Sequence, residues 1–371
     1  MILAKKVRLY PSEIQEQKLW QSVGTARFIY NWTLAKQEEN YKNGGKFIPD
    51  GTLRKEITQL KKNELNWLSD VSNNVAKQAV KDACDAYKRF FKGLSGKPRF
   101  KTKKRSKKSF YNDNVKLKVK DNKLVNIEKI GWIKTNEQLP IGVKYSNPRI
   151  CYDNKYWYIS VGIEQEENQE ELTDISLGID LGLKDLAICS DSTVYKNINK
   201  TYMVRKIEKR LKRLQKQVSR KYEKNKKGKE YVKTKNIIKL EKQIQQVHRR
   251  LANIRNNYLH QTTTNIVKTK PYRVVIEDLA VSNMMKNKHL SDAIRKQGFY
   301  EFRRQLEYKC NFRGIKLVVA DRFYPSSKSC SQCGKIKKDL KLKDRVYKCS
   351  CGLNIDRDLN ASINLSKYKL A

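Results

Sequence analysis

The stretch ISLGIDLGLKDLAICSDSTVY, residues 175–195, decides the fold of the second half of this chain. It begins as an apolar strand that ends at Asp180, passes through a glycine, and then predicts a second and a third strand. Two more apolar strands follow later in the chain, YRVVIEDLA, which ends at Glu277, and IKLVVADRF. Strands followed by helices, and then strand, helix and strand, predict a mixed α/β sheet with helices packed on it.

Helices are predicted between these strands. Over residues 203–267, apolar residues recur at spacings of three and four on both sides of a lysine-rich loop, which predicts an antiparallel helical hairpin. The loop, residues 220–235, holds eight Lys or Arg against two Glu. It could follow a phosphate backbone or serve solubility alone. Ile294 to Phe312 is predicted to be helical.

The first half of the chain has a different pattern. Ile2 to Tyr10 is predicted as a strand, and Ser12 with Gln15 is placed as a capping box at the start of a helical block. Short strands follow over residues 109–164, with Asp-Asn pairs at the turns of two hairpins. We expect a small β unit, with a domain boundary in the acidic segment at residues 164–174.

The charge of the chain points to a polyanionic partner. It has 81 Lys plus Arg against 38 Asp plus Glu, a formal net charge of +43, and nucleic acid is the first candidate. The longest apolar runs are too short to span a membrane, and no signal peptide precedes the first strand, so an intracellular protein is expected. The run KPRFKTKKRSKK, residues 97–108, suits phosphate contact, although a solvated linker explains it equally well. Its candidate backbone contacts are Lys97, Arg99, Lys101, Lys103, Lys104 and Arg105.

Four of the eight cysteines form two close pairs. Cys330 and Cys333 precede Cys349 and Cys351 at the separation found in zinc ribbons, and four thiolates are what a structural zinc site requires. Independent thiols or a disulfide pair are the alternatives. The second pair is Cys-x-Cys where Cys-x-x-Cys is commoner, so its turn must be tighter. The remaining four cysteines stand singly among apolar residues and are expected to be buried thiols.

Two of the predicted strands end at an acidic residue. Asp180 and Glu277 end apolar strands, and Asp356 and Asp358 precede a short predicted helix, LNASINL. Carboxylates gathered at one sheet edge would repel each other unless Mg²⁺ or Mn²⁺ held them, and two such ions can promote phosphodiester hydrolysis. Each residue alone is better explained as a turn residue or a helix cap. The group as a whole favours a metal site.

Four motifs in order, GIDLGLKDLA, VVIEDLAVSNM, YPSSKSCSQCG and DRDLNASINL, resemble the TnpB family of transposon-encoded proteins. The resemblance implies a multidomain α/β protein with an RNase H-like, RuvC-like nuclease domain at residues 173–371, related to type V CRISPR effectors. A zinc ribbon at residues 322–355 would be inserted in it. A wedge-like β-barrel, residues 1–10 and 106–172, would precede it and carry an inserted helical recognition block, residues 11–105.

The same resemblance assigns roles to single residues. Asp180 matches the first catalytic acid, Glu277 the second and Asp358 the third, and together these would hold the catalytic Mg²⁺ or Mn²⁺. Asp356 ranks below them, since it could support the second ion or only cap the turn. The four paired cysteines match the ligands of the structural Zn²⁺. Lys77 and Gln78 occupy the place where the family reads a motif beside its DNA target.

The family's function, applied here, would be RNA-guided, divalent-metal-dependent cleavage of double-stranded DNA, with a guide RNA derived from the transposon end. The expected setting is the cytoplasm and nucleoid of a prokaryotic cell, without a membrane partner. A catalytically silent guided DNA-binding regulator and a strand-transferring transposase are the alternatives. Whether one or two copies bind the RNA is left open. His248, His260 and His289 are expected at the surface, without a chemical role.

Overall fold

The computed structural model describes residues 1–166, 170–341 and 344–369 of the chain. Contacts divide it into two units, residues 1–165 and 166–371, and the division falls within the acidic segment expected as a boundary. Three residues of that segment (167–169), two of the predicted ribbon (342–343) and the last two of the predicted nuclease domain (370–371) lie outside the described residues.

The first unit is built around strand β1 (Ile2–Tyr10). It pairs with β7 along almost its whole length, from Ile2 opposite Glu164 to Leu9 opposite Trp157. Seven strands form one antiparallel sheet in the order β2-β6-β7-β1-β5-β4-β3. The others are β2 (Lys108–Tyr111), β3 (Lys118–Lys120), β4 (Leu124–Ile127), β5 (Gly131–Thr135), β6 (Tyr145–Tyr152) and β7 (Trp157–Glu164). Asn122 and Asn154 have positive φ angles at the hairpin turns, which confirms the predicted Asp-Asn turns.

Three α-helices lie between β1 and β2 in the chain: α1 (Glu13–Lys42), α2 (Asp50–Asn63) and α3 (Asn73–Phe91), with a short 3-10 helix (Asn66–Asp70) between the last two. The predicted capping box is confirmed, because the Ser12 side chain accepts from the Gln15 N–H and the Gln15 side chain accepts from the Ser12 N–H. Leu19 and Val23 of α1 join the hydrophobic core of the sheet. Farther along α1, Ile29 packs with α2 and α3 in a second core.

The second unit opens with three antiparallel strands, β8 (Thr173–Leu181), β9 (Asp185–Cys189) and β10 (Val194–Lys196). Two later strands, β13 (Pro271–Glu277) and β14 (Lys316–Ala320), extend the sheet in parallel with β8, giving the order β10-β9-β8-β13-β14. The remaining elements are α4 (Tyr202–Lys224), β11 (Lys226–Lys227), β12 (Glu230–Tyr231), α5 (Lys235–Lys268), α6 (Val281–Met284), α7 (Ser291–Gln297), α8 (Phe299–Phe312), β15 (Val346–Lys348), β16 (Asn354–Asp356) and α9 (Arg357–Ser366).

The stretch from Ile294 to Phe312 is helical, as predicted. A break at Gly298 divides it between α7 and α8. Gly298 has φ +72°, a left-handed conformation that ends a helix and that glycine adopts without the steric cost of a side chain.

The two faces of this sheet pack against different helices. In β8, Leu177 and Ile179 belong to the core formed with α5 and α8. In β13, Val275 packs with Leu365 of α9. Because side chains alternate along a strand, Gly178, Asp180, Val275 and Glu277 all lie on the face toward α9. In the described part of the chain, no helix is long and apolar enough to cross a membrane.

Candidate metal centres

Two carboxylates end adjacent parallel strands in the second unit. Ile179 of β8 lies opposite Ile276 of β13, so the next residues, Asp180 and Glu277, lie side by side at the carboxyl edge of the sheet. Both side chains are on the face toward α9. The strand ends therefore deliver two acids to one place, as the sequence pattern predicts.

Helix α9 brings the third acid to the same edge. Asp356 caps this helix, since its Oδ1 accepts from the backbone N–H groups of Asp358 (2.9 Å) and Leu359 (3.1 Å). Asp358 follows in the first turn. Of the two roles left open for Asp356, the structure shows the cap, which is a common use of aspartate before a helix.

Gly178 allows α9 to reach this position. A Cβ atom on Gly178 would lie 2.0 Å from the carbonyl oxygen of Ser362 and 2.3 Å from the backbone nitrogen of Ser366. No side chain fits between backbones at these distances, so glycine is required where α9 crosses β8. Gly178 lies two residues before Asp180 in β8. The close packing of α9 on Gly178 therefore also brings Asp358 of α9 to the cleft that Asp180 lines.

The three acids line one cleft of about 460 Å³. Among the described residues, five basic ones also line the cleft, so that a basic wall suited to phosphate groups lies beside the acids. These residues are Lys184, Lys328, Lys341, Arg345 and Arg357.

The acids affect one another's protonation. Burial raises the pKa of Asp180 well above its ordinary value, and the negative charges of Glu277 and Asp358 raise it further. Burial also raises the pKa of Glu277, partly offset by a hydrogen bond from Ser326. Both shifts mean that the charged forms lack enough positive partners in the protein itself.

Asp358 does have cationic partners. Arg357 donates to its Oδ1 from Nη2 (3.0 Å) and Nε (3.2 Å), and Arg345 Nη1 lies 3.8 Å from its Oδ2. Two arginines therefore hold this carboxylate at the cleft, while Asp180 and Glu277 lie deeper beside it.

These residues fit a divalent cation by their chemistry. Carboxylate oxygens are the hard donors that Mg²⁺ and Mn²⁺ prefer, and a cation would offset the repulsion that raises the pKa of Asp180.

The four paired cysteines form the second candidate metal site. Their sulfur atoms all lie within 4.8 Å of one another, and the pairs Cys330–Cys351 and Cys333–Cys349 are each 3.6 Å apart. A tetrahedral zinc with bonds of about 2.3 Å would separate sulfurs by about 3.8 Å. The cluster thus has the ligand type, number and spacing that structural zinc requires.

The short Cys-x-Cys pair is accommodated by a tight turn. Gly352 has φ +95°, and its N–H donates to the carbonyl of Cys349 at 3.1 Å. The backbone N–H of Cys351 points at the Cys349 sulfur and lowers the pKa of that thiol to about 6, which favours the thiolate that binds metal. The tighter turn expected from the spacing therefore still closes the site.

Three family models match successive parts of the chain. They are described as "Helix-turn-helix domain" over residues 1–46, "Probable transposase" over 158–288 and "Cas12f1-like, TNB domain" over 299–365. Among curated proteins, "Putative RNA-guided DNA endonuclease InsQ" of Escherichia coli (strain K12) is 33% identical, covering 98% of this chain and 91% of that protein. A "Putative RNA-guided DNA endonuclease" of Streptomyces pristinaespiralis is 32% identical, covering 99% of this chain and 89% of that protein. A "TnpB-like protein" of Acanthamoeba polyphaga mimivirus is 25% identical over 100% and 74%.

The chain belongs to the TnpB family. The resemblance found in its four motifs is confirmed by relatives that match along nearly its whole length.

Solved structures support the fold of this TnpB family member. A cryo-EM structure of a Cas12f1 complex with guide RNA and target DNA superposes with a TM-score of 0.60 at 15% identity, covering 95% of this chain and 82% of that one. A structure of the mini-RNA-guided endonuclease CRISPR-Cas_phi3 gives 0.53 at 10% identity, over 99% and 92%. At such low identity the likeness shows the mixed α/β fold alone.

The predicted motif-reading pair of this TnpB family member lies on α3. Lys77 is exposed and lines a cleft with Lys61 and Lys62. Gln78 is half-buried and donates from Nε2 to Asp82 Oδ1 at 2.8 Å. Asp82 also forms a bidentate pair with Arg149 (2.7 and 2.9 Å). The Gln78 amide is therefore hydrogen-bonded to a carboxylate that is itself held in place within the protein. Lys77 is the freer of the two, and DNA reading by both stays a prediction.

The basic run is partly engaged within the first unit. Lys97 pairs with Glu38 at 3.2 Å, and Lys101 lies 3.5 Å from the centre of the Tyr30 ring. Burial lowers the pKa of Lys101. The other four predicted phosphate contacts have exposed side chains: Arg99, Lys103, Lys104 and Arg105.

Three residues around the acidic cleft were not predicted from the sequence. Gly178 carried a signal, since a glycine inside an apolar strand often marks close approach of another backbone. Arg357 lies between the two aspartates of the DRD motif, but nothing in the sequence indicates that its side chain donates to Asp358. Ser326, which donates to Glu277, lies in a serine-rich segment where nothing distinguishes it from its neighbours.

Proposed function

We propose that this TnpB family member is an RNA-guided, divalent-metal-dependent DNA endonuclease of a transposable element. The observation that carries the proposal is the meeting of Asp180, Glu277 and Asp358 in one cleft walled by basic side chains. It is supported by relatives named as RNA-guided DNA endonucleases that match nearly the whole chain.

Asp180, Glu277 and Asp358 would hold Mg²⁺ or Mn²⁺. When bound there, the ions supply activation of a water molecule and stabilisation of the leaving oxygen in phosphodiester hydrolysis. The acids must be ionised to serve as ligands, and the raised pKa values of Asp180 and Glu277 make the ionisation of these two harder as the pH falls. Arg357 and Arg345 hold Asp358 at the cleft.

The basic wall would bind the DNA backbone. Lys184, Lys328 and Lys341 offer ammonium groups beside the acids, and lysine binds phosphate as a point charge without reading sequence. The cleft residues would therefore position a strand for cutting, whereas the choice of strand would come from the guide RNA by base pairing.

The cysteine cluster would hold a structural Zn²⁺. Cys330, Cys333, Cys349 and Cys351 leave no position free for a substrate, since a tetrahedral site is filled by four thiolates. The metal would support the fold of a segment with little apolar sequence of its own.

The remaining assignments belong to the same proposal. The first unit would contain the wedge-like barrel, residues 1–10 and 106–172, and the recognition block, residues 11–105. The RuvC-like domain would span residues 173–371, with the ribbon at 322–355. A guide RNA from the transposon end and double-stranded target DNA would be the partners, which the net charge of +43 supports. Bacterial relatives support a prokaryotic setting.

The test is a cleavage assay on the purified protein with RNA transcribed from around its own gene. Sequencing the RNA that copurifies identifies the guide. With Mg²⁺ and a matching DNA, we expect the wild-type complex to cut and an Asp180→Ala complex to bind without cutting. Guided binding by both proteins without any cutting would favour the silent regulator and contradict the proposal.

A strand-transferring transposase is the second candidate. The description "Probable transposase" of the family model that matches residues 158–288 favours it, and three acids on this kind of sheet could serve strand transfer as well. Joined DNA products in the same assay would identify that chemistry, whereas free cleaved ends support the endonuclease.

A further inference from the structure

Ser326 connects the start of the cysteine-rich segment to the acidic cleft. Its hydroxyl donates to Oε1 of Glu277, and its side chain is 3% exposed. Ser326 lies between β14 and Cys330, so it belongs to neither strand that carries the cleft acids. A buried hydroxyl therefore reaches Glu277 from a different part of the chain.

Helix α9 fixes the backbone that carries this hydroxyl. Asn364 donates from Nδ2 to the carbonyl of Ser326 and to that of Ser329, both at 2.7 Å. One turn earlier, Asn360 donates to the Ser329 carbonyl at 2.7 Å and accepts from the Ser331 N–H at 3.0 Å. Both amides are buried. The segment at residues 326–331 is thus attached to one face of α9 by four hydrogen bonds.

We propose that Ser326 is a positioning residue for Glu277, set in place by Asn364. The helix that presents Asp358 then also fixes the orientation of Glu277, through Asn364, Ser326 and their hydrogen bonds. This inference rests on the proposed metal-dependent function.

A glutamate side chain needs such help more than an aspartate does. Glu277 has one more rotatable bond than Asp180 or Asp358, and β13 fixes only its backbone. Donation to Oε1 selects one rotamer and leaves Oε2 for a cation. Hydrogen bonds to ligand carboxylates are known to affect metal affinity by about 10- to 100-fold.

The first test measures Mn²⁺ binding to the full chain without nucleic acid, from the loss of the free Mn²⁺ signal in electron paramagnetic resonance. Asp180→Ala defines binding elsewhere on the protein. We expect Ser326→Ala to weaken the Asp180-dependent binding by about 10-fold, and Ser326→Thr, which keeps the hydroxyl, to restore most of it.

The matched control is Ser362→Ala. Ser362 is equally buried in the same unit, but its hydroxyl donates to the carbonyl of Leu359 in its own helix. We expect it to bind Mn²⁺ like the wild type. Wild-type affinity in Ser326→Ala would overturn the positioning role alone. Absence of Asp180-dependent binding in the wild-type chain would overturn the metal site and this inference with it.

The second test uses Asn364→Leu, which removes the donors while keeping the size of the side chain. We expect it to raise the Mg²⁺ concentration for half-maximal guided cleavage by about 10-fold, with guided DNA binding unchanged. Combined with Ser326→Ala it should add little, because both act through Glu277. Fully additive effects would contradict the connection through Ser326. If the wild-type complex cut no DNA, the proposed function would fail, and the Mn²⁺ comparison would still decide the role of Ser326.

Discussion

The two candidate metal sites of the second unit are built in opposite ways. All four thiols come from residues 330–351, and local turns bring their sulfur atoms within 4.8 Å of one another. The three carboxylates come from β8, β13 and α9, and meet only because two parallel strands end together and a helix crosses one of them. A site made by local turns needs little beyond its own segment, whereas a site made by tertiary packing depends on every contact that aligns the three elements.

The contrast extends to charge. The backbone N–H of Cys351 lowers the pKa of Cys349, which favours the metal-binding thiolate form of that residue. Burial and mutual repulsion raise the pKa of Asp180 and Glu277. Ionisation of these two carboxyl groups is therefore unfavourable without a bound cation.

Gly178→Ala should impair the carboxylate site and leave the thiol site intact. The added methyl group would lie 2.0 Å from the Ser362 carbonyl, so α9 must move away from β8 and take Asp358 with it. We expect a loss of about 1–3 kcal/mol in stability and a fall in guided cleavage of about 100-fold, with one zinc still bound per chain. Gly24→Ala, where a Cβ meets nothing within 4 Å, is the control. Near-wild-type cleavage by the Gly178 variant would show that α9 packing does not set the acidic site.

Cys349→Ser tests the thiol site. One ligand fewer should release the zinc, measured by metal analysis of the purified protein, and loosen the segment that Asn360 and Asn364 attach to α9. Cleavage should fall by about 10-fold, less than for Gly178→Ala. Cys310→Ala removes a buried thiol outside the cluster and should keep the zinc. A zinc content of one per chain in Cys349→Ser would exclude Cys349 as a ligand.

Asp180→Asn tests the charge repulsion. Because the folded chain holds protons on Asp180 and Glu277 more tightly than the unfolded chain, metal-free stability should fall as the pH rises above about 4 and through their raised pKa values. At pH 7 the asparagine variant should therefore melt about 2 °C or more above the wild type, and this difference should shrink toward pH 4. Calorimetry with a chelator present measures both. A lower melting temperature for the variant at pH 7 would argue against repulsion among the acids.

Arg345→Gln should have the smallest effect. Arg345 is half exposed and 3.8 Å from Asp358, and exposed pairs of this kind contribute about 0–1 kcal/mol. We expect cleavage to fall by about two- to five-fold, mainly at low salt where the lost charge is least screened, and zinc content to stay the same. The salt dependence of the cleavage rate measures the loss of one phosphate contact. A fall as large as that of Gly178→Ala would assign Arg345 a direct role in the chemistry.

The contrast between the sites also explains what could be predicted from the sequence. The four thiols could be predicted from their spacing in the sequence, because the ligands of a metal site built by local turns lie close together in the chain. Asp180 and Glu277 were found because the ends of apolar strands mark a sheet edge. The choice of Asp358 over Asp356 came from the family motif, since helix capping by Asp356 depends on where α9 begins.

Other features depended on tertiary contacts that no pattern records. The role of Ser326 follows from its bond to Glu277, and the engagement of Gln78 follows from its bond to Asp82. The break at Gly298 was missed because apolar periodicity continues through it, while the left-handed φ angle is visible only in the structure.

Glu277→Gln tests the central claim, that the carboxylates at this sheet edge form a catalytic metal site, most directly. The amide matches the carboxylate in size and can still accept from Ser326, so only the charge is removed. With guide RNA, target DNA and Mg²⁺, the account predicts guided binding within about two-fold of the wild type and cleavage slower by about 1,000-fold or more. Cleavage by this variant at close to the wild-type rate would contradict it.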